Sequence, residues 1–263
     1  MPWTFAHPAA VLPMRRLCPR HLHFTALVIG SLMPDFGYHF GLFALATYAH
    51  TLAGSLLVCV PIGFALLAGF SAVREPLWHL LPQPHRDALE PLVSQPWAPD
   101  IGNVLRSCIS ILLGAWSHIA WDSFTHRTGW SVEHLAALQG TVAMPWIGEV
   151  PVYEVLQHLS TLVGLAALVA AYCAWLGPQR RPSLLAIARD DRWRYAVLLS
   201  LAACSAGTAL LLALHPFGES LPAQVFLFRL AVYGAVLFMG STILAGMYAF
   251  YSRKPAPRFT SAP

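Results

Sequence analysis

Long apolar runs with almost no charge constrain this chain more than any other feature of its sequence. They cover residues 51–70, 104–121, 159–176, 195–214 and 225–248. Each run is close to the ~20 residues that an α-helix needs to cross ~30 Å of hydrocarbon. The chain is 57% hydrophobic and only 11% charged, whereas soluble domains are about 25% charged. The sequence therefore predicts an all-α fold, a polytopic transmembrane helical bundle with about five full spans.

Two further apolar stretches precede the first span and are too short to cross a membrane. Residues 24–33 end at Pro34-Asp35, and residues 36–49 follow directly. Irregular backbone is tolerated at membrane depth only where it is buried in protein or lines a cavity. We therefore expect short, half-buried or re-entrant helices that pack against the bundle.

The whole chain, residues 1–263, is predicted to form a single integral membrane domain. Within it, residues 1–165 carry the candidate metal-site residues described below. Residues 166–252 supply additional transmembrane helices. Residues 253–263 are polar and are predicted to form a disordered tail.

The distribution of Lys and Arg predicts the orientation of the bundle. Pro and charge are frequent in residues 71–100, which are predicted to form an extramembrane loop with one short helix near residues 86–92. This loop, the basic loop 177–194 and the tail from residue 253 share one side if the five spans alternate. They hold most of the Lys and Arg outside the spans, so the positive-inside rule places them in the cytoplasm.

The remaining composition excludes some classes of protein. The formal net charge is only +4, and no basic stripe with interleaved aromatic residues is present, so nucleic acid is not an expected partner. No C-x-x-C motif occurs, and the sequence therefore does not indicate a thiolate zinc site. The lipid bilayer is the expected partner.

The most informative polar pattern lies at the end of the second span. His118, Asp122 and His126 are spaced four residues apart and form one stripe on a helix. Imidazole and carboxylate are ligands that suit zinc, iron or manganese. A carboxylate can bridge two metals, and Asp122 in the middle of the stripe is the natural bridging residue.

Alternation of the spans brings more residues of these types to the same membrane face. His50 precedes the first span, Glu154 and His158 begin the third, and Asp35 and His7 are near this face by sequence. Each residue alone could be an interfacial histidine, a helix cap or half of an ion pair. Because such groups are costly near a bilayer unless they are paired or bind metal, the collection favours a metal site.

Four segments resemble an uncharacterised bacterial membrane-protein family. They are residues 2–10 (PWTFAHPAA), residues 30–35 (GSLMPD), His50-Thr51 and residues 117–126 (SHIAWDSFTH). That family is akin to the LexA-regulated inner-membrane metal-dependent hydrolases, and the resemblance covers about residues 2–165. The order of candidate ligands is also similar to that of the zinc-dependent phospholipase C and single-strand nuclease superfamily, helical enzymes with a trinuclear zinc cluster.

The resemblance implies three groups of metal ligands. The first comprises Asp35, His50, His118 and Asp122. The second is His7 with the bridging Asp122. The third is His126 with Glu154 and His158. Two features depart from the superfamily: Trp3 is internal rather than a free N-terminal ligand, and Glu154-x-x-x-His158 reverses the order of the last pair. Two or three zinc ions are therefore expected, with iron or manganese as the alternatives.

The leading functional hypothesis is a metal-dependent membrane hydrolase. Divalent ions generate hydroxide from bound water at neutral pH and offset charge in a phosphoester transition state. Asp35 or Glu154 could act as general base, and Asp122 would bridge the ions. The site lies at headgroup depth, so a phosphoester or other bond of an amphiphilic, lipid-like substrate is expected.

Two other functions fit the same residues. A di-iron membrane oxidoreductase also uses His and carboxylate ligands four residues apart. A transporter or scaffold with a structural metal is the non-enzymatic alternative, although the polar residues lie at span ends rather than near the midplane. The resemblance implies a multi-pass protein of the bacterial inner membrane. The distribution of Lys and Arg implies a metal site on the periplasmic or outer face.

Overall fold

The described chain is almost entirely helical. The computed structural model describes residues 3–18, 20–95, 97–145, 148–179, 191–214 and 223–252. Its helices are α1 (Pro8–Leu17), α2 (Phe24–Leu32), α3 (Phe43–Ala49), α4 (Leu52–Leu80), α5 (His85–Val93), α6 (Ile101–Thr125), α7 (Trp130–His134), α8 (Ala136–Gln139), α9 (Val152–Leu176), α10 (Arg192–Leu214) and α11 (Ala223–Tyr251). Short 3-10 turns cover Thr4–Ala6, Phe36–Phe40 and Gly177–Gln179, and α4 has a π-helical segment at Ser55–Cys59. Strands β1 (Thr141–Met144) and β2 (Gly148–Pro151) form one antiparallel hairpin.

Five of these helices are long and apolar enough to cross a membrane, which confirms the predicted fold class. They are α4, α6, α9, α10 and α11. Large apolar side chains on their outer faces, including Leu57, Leu162, Leu211 and Leu244, are exposed. Apolar faces of this extent are covered by lipid in a spanning helix rather than by water. The chain is therefore a multi-pass membrane protein.

The prediction that an extramembrane loop begins at residue 71 was wrong, because α4 continues to Leu80. Pro76 lies inside this helix. A proline removes one backbone donor and crowds the preceding turn, but neighbouring packing can compensate. Gly246 in α11 lies against the backbone of Pro76, so closely that a Cβ at position 246 would be 2.9 Å from the Pro76 carbonyl oxygen. The short helix predicted near residues 86–92 is present as α5.

The short helices predicted within residues 24–33 and 36–49 are present as α2 and α3, and α2 packs closely on α6. Gly114 explains the closeness, because a Cβ there would lie 2.3 Å from the carbonyl oxygen of Leu27. Gly30 is equally close to Ile111, because a Cβ at position 30 would lie 2.2 Å from the Ile111 carbonyl oxygen. Helices approach at this distance only where small residues face each other. The approach brings the backbone of α2 within reach of the side chains on the next turn of α6.

The structure comprises two compact units. The first contains the described parts of residues 1–69 and 97–175, and the second those of residues 70–96 and 176–263. The core of the first unit includes Ala26, Leu67 and Ile111. The basic loop predicted at residues 177–194 falls mostly on residues outside the described ones, and so does the predicted tail.

Candidate metal centre

Asp35 lies in the turn that follows α2, in the interior of the first unit. Pro34 disfavours continuation of the helix through this turn, and Asp35 is fully buried. The Thr4 hydroxyl donates a hydrogen bond of 2.6 Å to Asp35 Oδ2. Its other oxygen, Oδ1, is buried without a hydrogen-bond partner. One carboxylate oxygen is thus fixed, and the other remains available to a ligand.

Two histidines are held in a single tautomer by backbone carbonyls. His118 Nδ1 lies 2.8 Å from the carbonyl oxygen of Ser31, and His50 Nδ1 lies 2.8 Å from that of Ala46. A carbonyl oxygen only accepts, so each Nδ1 donates its proton and each neutral ring keeps the lone pair on Nε2. Metal-binding histidines are oriented in this way by a partner on the second ring nitrogen.

Four ligand atoms converge in the first unit. Asp35, His50, His118 and Asp122, here called the four-residue group, each offer one atom within 4.8 Å of the others. His118 Nε2 lies 3.3 Å from Asp122 Oδ2 and 3.6 Å from Asp35 Oδ1. His50 Nε2 lies 3.5 Å and 3.6 Å from the same oxygens. Four of the six distances among these atoms are thus 3.3–3.6 Å, which is the ligand–ligand separation expected around zinc with bonds of about 2.0–2.2 Å.

The same distances argue against a purely structural cluster. A protonated histidine paired with a carboxylate closes to about 2.7–2.9 Å, whereas these four contacts are longer. His118 Nε2 and Asp35 Oδ1 are buried without hydrogen-bond partners, although buried polar atoms are normally satisfied. The two buried carboxylates carry negative charge, which a divalent cation would neutralise. The residues present therefore fit a metal ion.

A second set of atoms adjoins the four-residue group through Asp122. His7 Nε2 lies 3.5 Å from Asp122 Oδ1, the oxygen that faces away from His50. Both of those atoms are buried without hydrogen-bond partners. His126 Nδ1 bonds the Asp122 carbonyl at 3.1 Å, and its Nε2 is also buried without a partner. Asp122 thus presents Oδ2 to His50 and His118 and Oδ1 to His7, as a bridging carboxylate would.

Contacts between the N-terminal segment and α9 hold His7 in position beside Asp122. The Trp3 backbone N–H donates a hydrogen bond of 3.1 Å to the Thr161 hydroxyl. One turn later, Gly164 lies against Ala6, where a Cβ at position 164 would be 3.0 Å from the Ala6 carbonyl oxygen. The His7 ring then stacks on His118 with a centroid separation of 3.6 Å. These contacts fix the ring that faces Asp122.

Electrostatics keep two of the candidate ligands in the form that binds metal. Burial, reinforced by His118, lowers the pKa of His7 to about 3, so this imidazole is neutral at physiological pH. Burial alone would raise the pKa of Asp35, but His118 and the Thr4 hydroxyl outweigh it and hold the pKa below its usual value. A neutral imidazole and an ionised carboxylate are the metal-binding forms.

Glu154 and His158 are not among the ligands that the structure brings together in the four-residue group. Both are near the start of α9, where Glu154 is half-buried and His158 is exposed. Neither belongs to the four-residue group found among the described residues. The third metal that His126 would share with them stays a prediction.

Sequence reasoning did not identify the groups that orient the ligands. Thr4 lies three residues before His7, within the segment that carries the resemblance, so its proximity to the ligands was detectable. The carbonyls of Ser31 and Ala46 gave no signal, because every residue has a carbonyl and only the packing of α2 and α3 selects these two.

Comparison with known proteins adds a family but no function. A family model described as "Domain of unknown function (DUF4184)" matches residues 1–250. No curated protein and no solved structure matches the chain.

Proposed function

Since the chain belongs to the DUF4184 family, a family of unknown function, we propose its function from the site itself: a membrane-embedded, metal-dependent hydrolase. The proposed ions are two or three, most simply zinc, and the proposed bond is a phosphoester of a lipid-like substrate. The observation that carries the proposal is the convergence of four ligand atoms at 3.3–3.6 Å with buried, unsatisfied Nε2 and Oδ1 atoms.

When bound, divalent ions here would lower the pKa of a water molecule and offset negative charge on a phosphoester oxygen. Asp35 and Asp122 supply the opposing negative charge, and Thr4 prevents Asp35 from rotating. His50 and His118 present fixed lone pairs. Because Asp35 Oδ1 faces both histidines, it suits a ligand better than a general base, and Glu154 remains the candidate base.

The position of the group supports an amphiphilic substrate. His118 and Asp122 lie near the C-terminal end of α6, and His50 directly precedes α4. Both are spanning helices, so their ends reach the headgroup region. A polar phosphoester head with an apolar remainder matches that depth.

Metal analysis of purified protein tests the proposal. Wild-type protein should contain at least one transition metal ion per chain, and His118→Ala should lose it. His134→Ala is the matched control, because His134 is exposed and bonds only the carbonyl of its own helical turn. Wild-type protein without a stoichiometric metal ion would overturn the proposal. Iron with a visible absorption band would instead favour the oxidoreductase.

Activity is tested on the same preparations. Hydrolysis of phosphodiesters and phosphomonoesters with alkyl chains should occur with wild type and His134→Ala and disappear with His118→Ala. His158→Ala addresses the third ion: a drop of one ion per chain would support it, and unchanged stoichiometry would leave a dinuclear site.

We further propose that the protein resides in the bacterial inner membrane with the site on the periplasmic face, following the positive-inside rule. A cysteine placed at the exposed His134 should react with an impermeant maleimide in intact cells, above the level of the parent chain. Labelling only after the cells are broken would show that the site faces the cytoplasm instead.

A further inference from the structure

An apolar cavity of about 220 Å³ opens beside the candidate metal centre. One wall is the N-terminal segment, with the small side chains of Ala6, Ala9 and Ala10. His7 belongs to the same wall, and its Nε2 lies 3.5 Å from Asp122 Oδ1. The cavity therefore starts at a candidate ligand and is otherwise almost without polar groups.

The remaining lining comes from α9 and from Trp121 of α6. The α9 residues are Ser160, Val163, Gly164 and Ala167, and they span two helical turns, about 10 Å along the axis. These residues lie inside a helix long and apolar enough to cross the membrane. The part of the cavity that α9 lines therefore lies within a candidate membrane span, at the depth of the hydrocarbon.

We propose that this cavity holds one alkyl chain of the amphiphilic substrate whose polar head lies at the four-residue group. The identity of the head rests on the proposed hydrolase function. The volume admits a single hydrocarbon chain but not a partner helix, whose diameter with side chains is about 10–12 Å. The small side chains of Ala6, Ala9 and Ala10 leave room for the alkyl chain, and His7 contacts both the cavity and Asp122 of the candidate metal centre.

The cavity acts by position rather than by hydrophobic attraction. The surrounding bilayer is as apolar as the cavity, so moving a chain from lipid into it gains little free energy. Instead, an alkyl chain bound along α9 determines how far the polar head of the same substrate molecule can extend toward the metal centre. The cavity therefore selects substrates with one accessible linear chain.

Photolabelling in lipid nanodiscs tests this inference. The probe is dodecyl phosphate with a diazirine near the end of its chain, and mass spectrometry locates the label. We expect label on peptides containing residues 6–10 and 160–167, competed by unlabelled dodecyl phosphate but not by inorganic phosphate. Label spread evenly over the apolar faces of all spanning helices would overturn the inference.

Two substitutions fill the cavity, each with a control on the same helix. Ala167→Phe should reduce the competed label about tenfold, because overpacking of this size costs about 1.4 kcal/mol. Ala166→Phe, which is exposed and does not line the cavity, should leave it unchanged. Val163→Trp and its control Leu162→Trp repeat the test at another exposed pair, so the outcome does not depend on the folding of one variant.

The metal content of these preparations separates this inference from the proposed function. Competed label with no bound metal would support the chain site and overturn the hydrolase. Stoichiometric metal with label that neither Ala167→Phe nor Val163→Trp reduces would overturn the chain site and leave the hydrolase standing.

Discussion

The two units each contain a buried cluster of charged groups, and the clusters differ in how their atoms are satisfied. In the second unit, Asp191 Oδ2 accepts the backbone N–H of Gln83 at 2.7 Å, and its Oδ1 accepts from Arg194. Arg194 Nε also donates to the carbonyl oxygen of His79 at 3.0 Å. Both oxygens of this carboxylate are thus hydrogen-bonded.

In the first unit, several side-chain nitrogen and oxygen atoms of the cluster are close together but form no hydrogen bonds. His118 Nε2, Asp35 Oδ1 and Asp122 Oδ1 are buried and have no hydrogen-bond partner. Both clusters bear the cost of removing charge from water. In the second, hydrogen bonds to both oxygens of Asp191 offset that cost, whereas in the first one oxygen of Asp35 and one of Asp122 have no such bond. The difference indicates that the Asp191 cluster is structural and that the four-residue group fits a metal ion.

The largest expected effect is on stability, in the second unit. Asp191→Ala leaves the Arg194 guanidinium buried without its carboxylate, which costs about 3–5 kcal/mol. We expect a clear drop in the thermal unfolding midpoint measured in nanodiscs, while the folded fraction keeps its metal content. Loss of metal at temperatures where the protein is folded would remove the distinction between the two clusters.

Metal affinity is the next largest effect, in the first unit. Asp122→Asn removes the carboxylate that both sets of ligands share, and we expect affinity to fall by about 100-fold or more, beyond the 10- to 100-fold cost of losing an orienting partner. Competition with a chromophoric chelator measures the affinity. Asp87→Asn on α5 is the control. Asp122→Asn protein with unchanged affinity would contradict the bridging role.

The pH dependence of stability offers a third comparison, using metal-stripped protein. Because the pKa of His7 is lowered to about 3 in the fold and is ~6.5 in the unfolded chain, the unfolded state binds the extra proton between these values. Stability should therefore fall as pH decreases from 6.5, by about 2 kcal/mol at pH 5. The decrease should be smaller in His7→Phe, and equal slopes would show that His7 does not contribute.

The smallest predicted effect concerns Thr4. Thr4→Val keeps the shape but removes the hydroxyl that bonds Asp35 Oδ2, and loss of such an orienting group lowers metal affinity about tenfold. Thr4→Ser should restore most of the affinity in the same chelator competition. Recovery with Thr4→Ser distinguishes an orienting hydroxyl from a packing effect of the side chain.

Hydropathy and four-residue spacing located most of the fold and part of the site. The five spans followed from run length alone, and His118, Asp122 and His126 followed from the helical repeat. The continuation of α4 past residue 70 was missed because Pro76 and nearby charges are typical of loops, whereas in the structure the helix continues through Pro76, where its backbone packs closely against Gly246. Glu154 and His158 share the same spacing. Spacing shows that two residues lie on one face of a helix, but it does not show which other helix packs against that face.

The sequence by itself determined that this chain spans a membrane and carries imidazoles and carboxylates at span ends. Both are local properties, set by the length of apolar runs and by position within a helix. Only the tertiary structure decided which of those groups meet. Gly30 and Gly114 let α2 approach α6, the carbonyls of Ser31 and Ala46 fix two lone pairs, and Thr161 holds the segment that carries His7. Ligand geometry depends on such contacts between distant residues, and no local pattern encodes them.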